Sequence, residues 1–407
     1  IDTGSFELVV FESHCDGCGI AGHYNAKGSH DHSVGPLARG LFYGSGDVFA
    51  KEAFDEVTIG GFASVNQSFW EAYEANMPVL LQARFQSIIG IGPPEMPAAE
   101  AWKVTQQSVQ GVIDGIHKHG KIHKWQTAKV LQDLNFSMEI SKEPVMLYSY
   151  NVMLFSLCFR NQPGSPGYLI WNDTSVEEHP TYFRTVRVLG RHTWAVAMTH
   201  VQVVPRLVGS VPLELGCTTE RCGAIVDSGT SLLMMPPDVV NQLEQTLQNM
   251  GATDCSHIED LPDLVFRLDD QIFSLPPDAY LTETAESNED LPEYMASFAR
   301  VRQLMPQNMR GCKISVMESY STTNLGPMWI LGMPFFRKYY TTFNVGRTQA
   351  DRSLHIASAS TDCYPEEPES SFHRETRRQA FRRQFNMRDI FLPGIVKKAV
   401  SGEFVEV

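Results

Sequence analysis

Two short stretches hold the residues best suited to chemistry. Ile1-Asp2-Thr3-Gly4-Ser5 and Val226-Asp227-Ser228-Gly229-Thr230 both read apolar, Asp, hydroxyl, Gly, hydroxyl. The glycine lets the backbone turn tightly and the hydroxyls can hydrogen-bond locally, so each stretch presents a carboxylate on a compact loop. Each is followed by two large apolar residues and a glycine. Ile88-Ile89-Gly90 ends 88 residues after Asp2, and Ile330-Leu331-Gly332 ends 105 residues after Asp227. Paired motifs recurring in the same order predict an internal duplication, with one copy per lobe and the two carboxylates meeting at a pseudo-twofold axis.

Two carboxylates ~4 Å apart repel by about 4 kcal/mol at an effective dielectric of 20. That equals roughly three pKa units, so over a wide acidic range the pair shares one proton. One acid and one base then flank a single site. A water between them can be deprotonated by one carboxylate while the other protonates or polarises a carbonyl. This chemistry needs neither metal nor cofactor, and none is expected. The titration belongs to the pair, so the proton is assigned to neither Asp2 nor Asp227 at this point.

The elements that must position these loops follow from composition and pattern. A chain of 407 residues that is 43% hydrophobic can bury a large interior, but it is too long for one compact core, so two lobes are expected. A formal charge of −14 argues against nucleic acid as the main partner. No apolar run approaches the ~20 residues of a membrane helix, so no transmembrane segment is expected. Runs rich in Val, Ile, Tyr and Phe predict strands at Glu56–Ile59, Val152–Phe159, Tyr168–Trp171, Trp194–Val204, Leu264–Leu268 and Tyr339–Phe343. Helices are expected at Pro237–Asn249, Leu291–Leu304 and part of 97–133. The fold class is mainly β, with two related lobes, a cleft between them and short helices. The boundaries read as an N-terminal lobe at 1–173 with a partly helical insertion at about 93–150, a C-terminal lobe at 174–363, and a tail at 364–407 that is helical or flexible.

Eight cysteines stand at 15, 18, 158, 217, 222, 255, 312 and 363. Cys15-x2-Cys18 and Cys217-x4-Cys222 are close enough to close small loops. Four thiolates from two such pairs could instead hold zinc, but 199 residues separate them and neither pair has a neighbouring ligand pattern. The sequons Asn66-Gln67-Ser68, Asn135-Phe136-Ser137 and Asn172-Asp173-Thr174 join the even cysteine count in favouring the secretory route, ending outside the cell or in a lysosome- or vacuole-like compartment. His117, His119 and His123 sit among lysines and beside Gly120, which favours a solvated basic loop over a metal site, and His30-Asp31-His32 receives the same reading. Phe372–Ile390 carries six arginines with Phe381 and Phe385 four apart, a pattern open to an amphipathic helix or a flexible tail.

These motifs together resemble the pepsin-like (family A1) aspartic endopeptidases over about residues 1–360. The resemblance rests on Ile1–Ser5, Leu41-Phe42-Tyr43-Gly44-Ser45-Gly46, Phe54–Gly61, Ile88–Gly92, Ala224–Leu233, Leu261–Phe266, and Trp329–Gly332 running into Phe335–Tyr340. It implies a catalytic dyad of Asp2 and Asp227. Thr3 and Ser228 would hydrogen-bond across the lobe interface, while Ser5 and Thr230 would bond the outer carboxylate oxygens beside Gly4 and Gly229. The two Ile/Leu-Gly segments would thread behind the loops. Tyr43, Gly44, Ser45 and Gly46 would tip a β-hairpin flap over the substrate, with Val79, Phe85, Ile88 and Ser231 lining the binding site. The implied disulfides are Cys15–Cys18, Cys217–Cys222 and Cys255–Cys312, which leaves Cys158 and Cys363 to pair or lie close together. Phe6 stands where the family usually has a small residue, Val9 where it has a Trp that anchors the flap tyrosine, and Gln86 where it commonly has Asp. Asp47, just after the flap tip, would favour basic or polar substrate side chains.

The function implied is hydrolysis of peptide bonds in peptide or protein substrates by a monomer, with an acid optimum and zymogen processing. The alternative is a pepsin-fold protein that binds peptide without cleaving it. Standing second in the chain, Asp2 is also expected at a charged, fraying terminus, with its position weakly enforced. These residues are accordingly read as an N-terminally truncated fragment of a longer precursor, with inactivity of that fragment a further alternative.

Overall fold

The computed structural model describes residues 1–81, 83, 85–119, 124–140, 145–160, 166–206, 210–250, 257–283, 302–303, 312–368 and 390–407. The fold is mainly β, as expected. A five-stranded sheet forms from the N-terminal part, in the spatial order Ser33–Tyr43, Gly46–Ile59, Phe62–Asn76, Leu8–Asp16, Ser87–Ile89. Its first two strands form a hairpin whose Tyr43 pairs with Gly46, leaving Gly44-Ser45 as the turn. The next turn is Gly60-Gly61, with φ of +58° and +87°, a conformation that suits a two-residue hairpin and that side chains disfavour.

A nine-stranded sheet organises the C-terminal part, with Ala195–Val204, Cys222–Val226 and Gly326–Leu331 at its centre. Cys222–Val226 is buried throughout and apolar, and its neighbours bury most of their apolar side chains. A third, six-stranded sheet joins Leu154–Phe159 and Gly167–Trp171 to Tyr339–Asn344, Ser353–Ala359, Pro365–Glu366 and Arg184–Arg187. It fastens chain from before Asp227 to chain from beyond it. In its core Phe155 stacks on Phe343 at 4.7 Å, and Trp194 meets both rings edge-on. The Trp194 indole N–H donates to the Ile91 carbonyl at 3.2 Å, tying this core to the segment behind Asp2.

The helices expected within 93–150 are present, and they are long. Met96–His119 and Lys124–Ile140 are helices of 24 and 17 residues. The first runs through His117 to His119, where a basic loop was expected. The two helices pack on each other, and this pairing overrides the weak local propensity of the His/Lys stretch. Pro237–Asn249 is helical as expected, burying Val239, Val240, Leu243 and Leu247 on one face. Most of the helix expected at Leu291–Leu304 lies outside the described residues, but within it Arg302–Gln303 form a strand.

Among the described residues three disulfides are present: Cys15–Cys18, Cys217–Cys222 and Cys158–Cys363. Cys255 lies outside the described residues, and with it the pairing to Cys312. Cys158–Cys363 spans 205 residues and closes the third sheet on itself. A cross-link over so long a loop removes much unfolded-state entropy. Replacing both residues by Ser should therefore lower the unfolding free energy by about 2–5 kcal/mol, read by urea denaturation of the otherwise oxidised protein.

Candidate active site

The two Asp loops meet where the lobes face each other. Asp2 lies against the Ile88-Ile89-Gly90 segment: its N–H donates to the Ile89 carbonyl at 2.8 Å, and the Ile91 N–H donates to the Asp2 carbonyl at 2.9 Å. A third bond runs from the Gly92 N–H to the Ser5 carbonyl at 2.7 Å. The second loop repeats the plan, with Asp227 N–H to Leu331 O at 3.0 Å and Met333 N–H to Thr230 O at 2.8 Å. Gly90 and Gly332 permit these approaches, since a Cβ at Gly90 would lie 2.5 Å from the Phe6 carbonyl carbon and one at Gly332 would overlap the Thr230 and Leu232 carbonyls.

Asp2 is therefore not at a fraying end. It is 1% exposed, held by the bridge to Gly90 and by bonds across the lobe interface. The Thr3 N–H donates to Ser228 Oγ at 3.2 Å, and Thr3 Oγ1 accepts from the Ser228 N–H at 2.9 Å. The Thr3 hydroxyl donates onward to the Val226 carbonyl at 3.0 Å, and the Ser228 hydroxyl to the Ile1 carbonyl at 3.0 Å. Each loop thus satisfies the buried polar groups of the other.

The carboxyls themselves are brought together by reciprocal glycines. A Cβ on Gly4 would stand 2.9 Å from the Asp227 carboxyl, and one on Gly229 would collide with Asp2 Oδ1. The two side chains thus face each other across the paired glycines. Asp227 is fully buried, and that burial, with the Asp2 charge beside it, drives its pKa well above the ordinary carboxylate range.

The halves are not equivalent. The Gly229 N–H donates to Asp227 Oδ1 at 2.9 Å and the Thr230 hydroxyl to Oδ2 at 2.6 Å. In the first loop the Gly4 N–H donates to Asp2 Oδ1 at 2.8 Å, but Asp2 Oδ2 and Ser5 Oγ are each without a partner among the described residues. The expected bond from Ser5 to Asp2 is absent. Asp2 thereby keeps one buried acceptor oxygen for something else.

The flap tip, Tyr43 to Gly46, closes over this region. Tyr43, Val79 and Ile88 are buried in one apolar cluster, against which Phe85 packs. Burial pushes the Tyr43 hydroxyl well above its ordinary pKa, helped by the nearby charges of Glu7 and Asp2, so it stays protonated. Ser231, next to the second Asp loop, faces the same space from the other lobe.

Sequence reasoning missed what lies between them. The chain's last described segment enters the cleft, where Phe391 packs on Tyr43 at 5.6 Å and on Phe85 at 6.0 Å between ring centroids. The apolar run Ile390-Phe391-Leu392-Pro393-Gly394-Ile395-Val396 was the available signal. It directly follows the basic stretch of the tail, whose own residues 369–389 lie outside the described part. Among the described residues, no group of three or more His, Cys, Asp or Glu is placed to hold a metal ion.

Because the Asp227 pKa is raised on folding, the native state binds more protons than the unfolded one. The stability this contributes is full below the unfolded pKa, about 4, and is lost as pH rises toward the folded pKa. Asp227→Asn cannot titrate. Between pH 4 and pH 7 its melting temperature should therefore fall less than that of the wild type, by a few degrees, in paired thermal melts.

The family model for eukaryotic aspartyl proteases matches residues 1–128 and 146–352. Cathepsin D of Rattus norvegicus is 25% identical over 359 residues, covering 84% of this chain and 73% of that protein. Renin of Rattus norvegicus is 26% identical over 353 residues, covering 84% and 72%. Pepsin A of Bos taurus is 25% identical over 359 residues, covering 86% and 77%. With the family model spanning well over half of the sequence and a paired-Asp site framed by two β lobes, the chain belongs to the eukaryotic aspartyl protease family, whose fold is that of the pepsin-like acid proteases.

Proposed function

We propose that this protein is an aspartic endopeptidase whose dyad is Asp2 and Asp227, working best in acid. The observation that carries the reading is the reciprocal packing of Gly4 on the Asp227 carboxyl and of Gly229 on Asp2, which sets two buried carboxyls against each other. Asp227 holds the shared proton, in keeping with its raised pKa, and Asp2 is the base. A water bonded to the open Oδ2 of Asp2 gives up a proton there as its oxygen attacks the substrate carbonyl carbon. Asp227 delivers its proton to the carbonyl oxygen, forming a neutral gem-diol. Collapse breaks the C–N bond as Asp2 passes its proton to the leaving nitrogen and Asp227 takes the proton of one gem-diol hydroxyl, giving the acid and amine products and restoring the starting state of the pair. Thr230 and the Gly229 N–H orient Asp227, and Gly4 N–H orients Asp2. The flap supplies Gly44 and Ser45 N–H groups to a peptide backbone, while Tyr43, Phe85, Val79 and Ile88 offer an apolar surface to a side chain.

Three disulfides, together with exposed Asn66, Asn135 and Asn172 in their sequons, support a secretory-route protein acting as a monomer on peptide or protein substrates. Among the described residues no helix is long and apolar enough to cross a membrane. A second reading, binding without cleavage, draws on the occupied cleft. Hydrolysis separates the two. The protein should cleave an apolar-centred peptide near pH 4, with pepstatin blocking it and Asp227→Asn reducing kcat by roughly 10²–10⁴-fold. If folded wild-type protein cleaves nothing, both intact and with residues 390–407 excised, the binding reading replaces this one.

A further inference from the structure

Residues 390–393 run through the cleft and are held from both sides. Toward the flap, the Ser45 N–H donates to the Leu392 carbonyl at 3.2 Å and the Gly44 N–H to the Pro393 carbonyl at 3.3 Å. Ser45 Oγ accepts from the Leu392 N–H at 2.6 Å and donates to the Ile390 carbonyl at 3.4 Å. Toward the second lobe, the Phe391 N–H donates to Ser231 Oγ at 3.1 Å. The Phe391 carbonyl accepts from the Ser231 hydroxyl at 3.0 Å and from its N–H at 3.4 Å. Residues 390, 392 and 393 thus bond one wall and 391 the other. Such main-chain pairing is indifferent to side-chain identity, which is how an extended peptide is gripped.

The side chains divide in the same way. Phe391 enters the apolar surface of Tyr43 and Phe85, and Ile390 and Leu392 bury against the second lobe in a cluster with Ile225, Leu232 and Met234. The flap is seated on this strand: a Cβ on Gly44 would lie 2.8 Å from Leu392 Cβ. Beyond Pro393 the chain turns into the helix Gly394–Ser401, which lies across the flap hairpin. Its Lys397 sits 5.2 Å from the Phe42 ring centroid and 3.9 Å from Asp47. The end is pinned by Ala399 O to the Tyr320 N–H at 2.8 Å and by Val405 N–H to Thr322 O at 2.9 Å.

We propose that residues 390–407 are a ligand of the cleft carried by the chain itself, a peptide-like occupant that substrate must displace, so that the intact protein is autoinhibited. The inference rests on the endopeptidase reading for what is inhibited, but not for the binding. Tethering gives the segment a millimolar effective concentration, so even modest intrinsic affinity keeps the cleft filled.

The test uses the full chain with a site-specific protease sequence inserted within 369–389. Cutting and dilution should raise kcat/KM for an apolar peptide near pH 4 at least tenfold, chiefly through KM, and a synthetic 390–407 peptide should restore inhibition competitively. Phe391→Ala in the uncut protein should give part of the same rise, which covers the case in which the cut protein unfolds. A fluorescent 390–407 peptide should bind the cut protein saturably and be displaced by pepstatin, a readout that needs no catalysis. Unchanged kcat/KM on cutting and in Phe391→Ala, with hydrolysis proceeding throughout, overturns the proposal and leaves the endopeptidase reading standing. Pepstatin-sensitive peptide binding with no hydrolysis in any form upholds the segment as a cleft ligand and sinks the endopeptidase reading instead.

Discussion

Two carboxyl groups that would each prefer water are held together inside this protein, and much of the surrounding structure follows from that constraint. Burial and mutual repulsion push the pair apart and push Asp227 toward its neutral form. What opposes them is backbone, not charge. Each loop is bonded to its own Ile/Leu-Gly segment, and Thr3 and Ser228 bond each loop to the other. Neither fastening works without glycines, because side chains at 4 and 229 would occupy the space of the opposite carboxyl. The third sheet, with its Phe155–Phe343 stack and the Trp194 bond to Ile91, keeps the two loop-bearing lobes in register.

Within this near-symmetric frame the two carboxyls differ in one bond. Thr230 caps the outer oxygen of Asp227, whereas Ser5 leaves that of Asp2 open. A carboxyl with both oxygens engaged is oriented, and one with a free buried oxygen is receptive. Duplication supplies two similar carboxyls; burial and the Asp2 charge raise the pKa of Asp227, against the Thr230 and Gly229 bonds that favour its ionised form.

The parts of this site that were legible in the sequence are those that local chemistry specifies. Asp-hydroxyl-Gly is readable because only glycine fits between the carboxyls, and Tyr43-Gly44-Ser45-Gly46 because Gly46 has a φ of +140° and no room for a Cβ beside the Asn76 carbonyl. Cys158 and Cys363 do bond, the two cysteines left over from the pairs that the resemblance implied. The failures are of another kind. The orientation of Ser5 depends on the packing around it, and the helix through His117 depends on a partner helix. Asp2 looked frayed because chain position was weighed without the tertiary bonds that bury it. The cleft segment was invisible to motif reading because main-chain pairing leaves almost no residue signature; only its apolar run was there to be noticed.

That segment also bears on how the cleft could open. Its charged contact, Lys397 with Asp47, is solvent-exposed on both sides and worth about 0–1 kcal/mol. Its apolar side chains are another matter: Ile390, Leu392, Ile395 and Val396 are buried, each contributing roughly 1.5–3 kcal/mol on transfer from water. Protonating carboxylates removes the first term and leaves the second. A segment held mainly by charge would be released by acid alone, but one held by apolar burial and main-chain bonds is not. Opening this cleft therefore falls to scission of the connecting chain, or to a competing peptide that fills the same apolar surface and pairs with the same Ser45 and Ser231 groups.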